Sequence, residues 1–126
     1  MKLLISTFLI AFSGSLFGQS ESVFFNALKN VDVTTMESYL EETIDFCLFE
    51  DQKIMGKKAA MNKLKGFLGD QKIMSVEIMH KGASKDRSSQ YKVAKLITNK
   101  ETYRVFVFAV GDISEKSIKE IRIDRF

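Results

Sequence analysis

Eight consecutive residues, Tyr103-Arg104-Val105-Phe106-Val107-Phe108-Ala109-Val110, narrow the folds open to this chain more than any other stretch. The run is rich in β-branched and aromatic residues, contains neither Gly nor Pro, and is too short for an ordinary amphipathic helix. Its odd positions are all apolar, and so are Phe106, Phe108 and Val110. A strand that is apolar on both sides predicts an interior place in a sheet covered on both faces. The segments around it are therefore read as its pairing partners and its cover.

From residue 72 onward the periodicity is that of strands, over 72–81, 89–98, 102–110 and 117–124. The intervening connections are short enough for antiparallel hairpins. Before them, Val23, Phe24, Ala27, Leu28 and Val31 recur at helical spacing, which predicts a helix over 20–30. Thr34-Thr35-Met36-Glu37 has the form of a capping box and opens a second, short helix with Met36, Tyr39 and Leu40 on its apolar face. Residues 43–49 (TIDFCLF) read as a strand, and 52–55 as a short further one. A third helix carries Ala60, Met61, Leu64, Phe67 and Leu68 on one stripe, with Gly69 placed as a left-handed stop. Lys57, Lys58 and Lys65 share its opposite side, the solvated face usual for such a helix. Amphipathic helices need a surface to bury, and a curled sheet supplies one. The expected class is α+β, with N-terminal helices packed on a curled antiparallel sheet.

The first 18 residues have the form of a signal peptide. Lys2 precedes the apolar run LLISTFLIAF, small residues follow to Gly18, and Gln19 begins a polar stretch. Residues 3–17 are too short and too interrupted by Ser and Gly to span a bilayer of about 30 Å. The expectation is cleavage before Gln19, a single domain over 19–126, and a periplasmic or secreted location with no stable membrane insertion.

The formal charge of +3, part of which is Lys2, is too small to imply nucleic acid, and no Arg cluster accompanies it. With 45% hydrophobic and 28% charged residues, the composition is that of a globular domain. Cys47 is the only cysteine, which excludes an intramolecular disulfide and a multi-Cys zinc site. Between Phe46 and Leu48 it reads as a small buried hydrophobe. No cofactor or metal is expected.

The order helix, helix, strand, helix, then four long strands resembles the nuclear-transport-factor-2-like (cystatin-like) cone fold. The resemblance narrows to exported bacterial proteins of the domain of unknown function 4783 family. It is carried by Ala27-Leu28-Lys29-Asn30, by His80-Lys81-Gly82-Ala83-Ser84-Lys85-Asp86, by Gln90-Tyr91, by Tyr103-Arg104-Val105 and by Ile121-Arg122-Ile123. It implies the fold and export, and no activity. Enzymes of this fold commonly set an Asp and a His across a pocket, and that dyad has no clear counterpart in this sequence.

His80 is the only histidine and offers the most chemistry. As a general base it needs an orienting partner, and the sequence names none. Its other reading is a polar strand end that orders the turn after Gly82, with Met74, Val76 and Ile78 sharing its parity. Asp45 is the only acid inside an apolar strand run. Tyr39, Asp45, His80, Tyr91 and Arg104 form the candidate pocket set, with no catalytic residue assigned. A three-residue loop at 99–101 would pair Thr98 with Thr102, Leu96 with Arg104 and Ala94 with Phe106, and would set Arg104 close to Asp124. In that register Tyr91, Val93, Ile97, Tyr103, Val105 and Val107 share one face, and Ala94, Leu96, Phe106 and Phe108 the other. Three helices can cover only one of these faces, so a homodimer through the sheet is expected. The principal functional expectation is a non-enzymatic module binding a small molecule or protein through the cone pocket or the sheet face. The alternatives are a small acid–base enzyme using His80 and a self-associating structural module.

Overall fold

Phe24, Ala27 and Leu28 recur at helical spacing and are buried along one side of α1, Gln19–Lys29. The structure, a computed structural model, describes residues 19–113 and 116–126; the leader read at 1–18 lies outside the described residues. Val31 ends α1 in the left-handed region, at φ 53°, and the Asp32 amide donates to the Ala27 carbonyl at 2.8 Å. A β-branched residue is costly in that conformation. Val31 packs against the core, which offsets part of the cost.

The short α2, Val33–Glu37, is capped two residues earlier than the capping box predicts. Asp32, not Thr34, is the N-cap: its carboxylate accepts from the Thr35 amide at 3.2 Å and the Thr35 hydroxyl at 2.6 Å. Those bonds, the hydroxyl's foremost, hold the Asp32 pKa below its ordinary value. The third helix, α3, runs Lys57–Leu68 and buries Ala60, Met61, Leu64 and Leu68. Gly69 closes it at φ −63° in the right-handed region, so the left-handed stop expected there does not form.

The strands are β1 Leu40–Leu48, β2 Asp51–Gly56, β3 Ile73–Ala83, β4 Ser89–Thr98, β5 Thr102–Val110 and β6 Ile118–Arg125. They form one sheet in the order β2-β1-β6-β5-β4-β3, so β5 is interior as its composition requires. The sheet is mixed and not wholly antiparallel, because β1 runs parallel to β6. This fits the long connection between them, since a parallel partner cannot be reached by a tight turn.

The register of β4 on β5 differs by one residue from the expected one. Ile97 lies opposite Thr102, Leu96 opposite Tyr103 and Ala94 opposite Val105. Thr98 causes the shift. Its hydroxyl oxygen accepts from the Lys100 and Glu101 amides at 3.1 and 3.0 Å, drawing Thr98 into the turn. A one-residue slip exchanges faces. Ala94 and Leu96 therefore share a side with Tyr103, Val105, Val107 and Ala109, all at most 3% exposed. Phe106 and Phe108 lie on the other side with Tyr91, Val93 and Ile97.

One buried cluster unites Phe24, Leu28, Met36, Met61 and Leu64 from the helices with Phe46, Leu96, Val107, Ile121 and Ile123 from the strands. Phe106 and Phe108 are only half-buried and Val110 is 47% exposed, so β5 is not covered twice. Beneath the turn, Gln71 Oε1 accepts from the Thr98 hydroxyl at 2.8 Å and the Tyr103 hydroxyl at 3.0 Å, which satisfies the polar tips of two buried side chains.

Candidate interaction face

Side chains at opposed positions of a sheet point to the same side, so the registers define the second face row by row. One row runs Ile54, Asp45, Glu120, Phe108, Tyr91, Gly82. The next runs Cys47, Arg122, Phe106, Val93, His80. A third holds Asp124, Arg104, Lys95 and Glu77. The middle of this face is apolar and aromatic, and its margins are charged.

The aromatic centre is ordered by backbone geometry. The Tyr91 ring stacks on Phe106 with centroids 5.8 Å apart and an interplanar angle of 25°. Its edge lies over Gly82, where a Cβ would sit 2.5 Å from Tyr91 Cε2. Gly82 thus lets the ring lie flat along the sheet. At the third row the Phe126 ring is approached by Lys95 Nζ at 4.9 Å and by the Arg104 guanidinium at 5.0 Å, both within cation–π reach.

Four of the five candidate residues occupy this face. Asp45 is half-buried and accepts two hydrogen bonds from Gln52 Nε2, at 2.9 and 3.1 Å. It borders an open pocket of about 330 Å³ with Glu41, Thr43, Ile54, Phe108, Lys119 and Glu120. Arg104 borders another, of about 420 Å³, with Phe106, Glu120, Arg122 and Asp124. Arg104 lies directly opposite Asp124, as the sequence suggested. Tyr91 forms the aromatic stack. His80 is exposed, opposite Val93. A bulge between Ile78 and His80 reverses its parity, so it does not share the side of Val76 and Ile78 that the spacing implied. The fifth residue, Tyr39, is 9% exposed in the core beside Phe24, away from the other four.

Cys47 is 3% exposed, and its thiol donates to the Phe49 carbonyl at 3.1 Å. Burial pushes its pKa up, despite the opposing field of Arg122. Three of the four lysines of α3 are engaged within the chain: Lys57 pairs with Glu42 at 3.1 Å, Lys58 with Glu37 at 3.3 Å, and Lys63 with Asp51. Among the described residues, no three His, Cys, Asp or Glu side chains are arranged to hold a metal ion. Lys95, Glu120 and Arg122 were not among the candidate residues, although for Lys95 and Arg122 a charge flanked by apolar neighbours within a strand was a usable signal.

A family model for a domain of unknown function, DUF4783, matches residues 22–124. The chain belongs to the DUF4783 family. Its fold is that of solved relatives. A DUF4783 protein from Bacteroides uniformis is 22% identical, with a TM-score of 0.73 over 83% of this chain and 95% of the other. A protein with a cystatin-like fold from Nostoc punctiforme is 10% identical, with a TM-score of 0.66 over 90% and 76%. A nuclear-transport-factor-2-like protein of unknown function from Cytophaga hutchinsonii is 13% identical, with a TM-score of 0.58 over 85% and 87%. At these identities the likeness establishes the DUF4783 chain's fold and brings no activity with it. No functionally curated protein matches the sequence.

Proposed function

We propose that this DUF4783 chain is an exported, non-enzymatic binding domain: a cone of helices laid on one face of a curled sheet, acting through the opposite face. The partner on that face is a second copy of the chain. One observation carries the reading. Tyr91, Val93, Phe106 and Phe108 form a contiguous apolar centre to which, among the described residues, the helices contribute no buried side chain. Soluble monomers seldom leave large patches of that kind in water. A two-fold dimer covers such a patch economically, because the same surface serves both subunits. An acid–base role for His80 lacks this support: the side chain is exposed, and among the described residues no carboxylate is hydrogen-bonded to it. Export is supported by the leader-like residues 1–18.

Sedimentation velocity over a wide concentration range tests the dimer, with Phe106→Lys as the disrupting variant. The expected result is a concentration-dependent dimer that the variant converts to a folded monomer. A wild-type chain that stays monomeric at several hundred micromolar would refute the reading. Mass spectrometry of the exported fraction tests the leader, with an N-terminus at Gln19 expected.

A further inference from the structure

Phe106 and Phe108 of β5 stand opposite Val93 and Tyr91 of β4, so the apolar centre is a block two residues deep on each of two neighbouring strands. On its other side β6 borders the block, with Glu120 opposite Phe108 and Arg122 opposite Phe106. The Glu120 and Arg122 side chains pair along β6 at 3.5 Å, and both remain accessible. We infer that two copies stack face to face about a two-fold axis that crosses the strands between the row of Phe106 and the row of Phe108. Glu120 of each subunit then meets Arg122 of the partner subunit. The inference rests on the homodimer reading and adds its geometry.

The centre of an interface is depleted of charge, so the axis has to bring the apolar block onto its own copy. Sheets about 10 Å apart pack with their strands aligned, which leaves two in-plane axes through the block. One runs along the strands, between β4 and β5, and the other crosses them, between the two rows. The first keeps the rows and exchanges the strands. It sets Phe106 against the partner's Val93 and Phe108 against the partner's Tyr91. The next row, however, reads Asp124, Arg104, Lys95, Glu77 and is symmetric in charge about that axis. Arg104 would meet the partner's Lys95 and Asp124 the partner's Glu77, each contact occurring twice. Like charges at the rim of a desolvated centre oppose this arrangement. The second axis keeps the strands and exchanges the rows. Phe106 meets the partner's Phe108, Val93 the partner's Tyr91, and Glu120 the partner's Arg122, again each twice. The two Glu120–Arg122 pairs lie antiparallel, so their four charges alternate in sign around a square. Arg104 and Lys95 are carried opposite the partner's Val110 and Ser89, which bear no charge. Both axes cover the same apolar block, and the charges around it select the second.

A swap that leaves the net charge unchanged tests the axis. With Glu120→Arg and Arg122→Glu in one chain, two swapped chains still set opposite charges together at both contacts. A swapped chain on a wild-type chain sets acid on acid at one contact and base on base at the other. The mixed dimer should therefore be about tenfold weaker than either homodimer. One chain is isotope-labelled, the two are mixed one to one, and the dimers are weighed by native mass spectrometry. Mixed dimers should fall from half of the total, the share that free exchange gives, to about a tenth. Thermal melts verify that the swapped chain is folded. Lys95→Glu supplies a measurement independent of the swap. About the axis along the strands it would face the partner's Arg104 and tighten the dimer; about the axis inferred it should not tighten it. Mixed dimers at half of the total or in excess would overturn the axis while leaving the homodimer standing. A tighter Lys95→Glu dimer would do the same. A monomeric wild-type chain would instead overturn the homodimer.

Discussion

Placing a lysine at each of two adjacent residues, Phe106 and Val107, separates the two faces of β5 in one experiment. Val107 is 0% exposed inside the buried cluster. Val107→Lys forfeits about 1.5–3 kcal/mol of apolar burial. It must then either hold an ammonium out of water or neutralise it, at a further cost of about several kcal/mol. Against a total stability of about 5–15 kcal/mol for a domain of this size, the sum leaves little or nothing. Phe106 is half-buried and already lies among charged neighbours, and a lysine there keeps its ammonium in water while its stem covers part of the vacated surface. The expected loss is about 1 kcal/mol or less in the monomer. Urea unfolding followed by circular dichroism gives both numbers from the midpoints at constant slope. Val107→Lys should be largely unfolded without urea, and Phe106→Lys should unfold close to wild type while failing to dimerise. The reverse order of stabilities would mean that the faces have been assigned the wrong way round.

Three further outcomes follow from particular contacts. Asp32→Ala should cost about 1 kcal/mol through loss of the α2 cap, whereas Thr34→Ala should cost almost nothing, both read from urea midpoints. Gly82→Ala should displace the Tyr91 ring from Phe106, because the new methyl would meet Cε2 at 2.5 Å; altered Tyr91 ring resonances and a weaker dimer are the readouts. The Asp86 carboxylate accepts from the Ser88 hydroxyl at 2.7 Å, the Ser88 amide and the Ser84 hydroxyl, which hold its pKa at about 2. Its folded value lies below the unfolded one, so its contribution is complete above about pH 4 and is lost as pH falls through 2. A carboxyl resonance titration should find it still ionised at pH 3, with the β3–β4 turn loosening only below that.

The strands were more legible than their pairing. The bounds read for β4 and β5 are those observed, because alternation and turn residues are local properties. Their register was not legible, since it depends on Thr98 folding its hydroxyl back onto the amides of Lys100 and Glu101, and no count of loop residues contains that choice. The parallel pairing of β1 with β6 is likewise absent from local pattern, because the two strands are joined only through the rest of the sheet. At α2 two overlapping caps competed. Asp32 prevailed over Thr34 by accepting from both the amide and the hydroxyl of Thr35.

The candidate face was closer to legible than the register that misassigned it. Asp45 stands between Ile44 and Phe46, Lys95 between Ala94 and Leu96, Arg104 between Tyr103 and Val105, and Arg122 between Ile121 and Ile123. Each is a charge whose neighbours on both sides are buried or nearly so, and each lies on the open face. An unpaired charge is costly to bury, so in a strand with one buried side its charged positions mark the side left open. Applied to β5, Arg104 alone places Phe106 and Phe108 outside and Val105 and Val107 inside, which is the observed arrangement. On β4 the same criterion divides, because Lys92 and Lys95 have opposite parity. Lys92 is only 5% exposed, on the buried side, and is not without a partner. Pairing β4 to β5 resolves the division in favour of Lys95, since Lys95 lies opposite Arg104 and Lys92 opposite Val107. The two cations lie side by side there, and the same row continues on either side with an anion, Asp124 opposite Arg104 and Glu77 opposite Lys95.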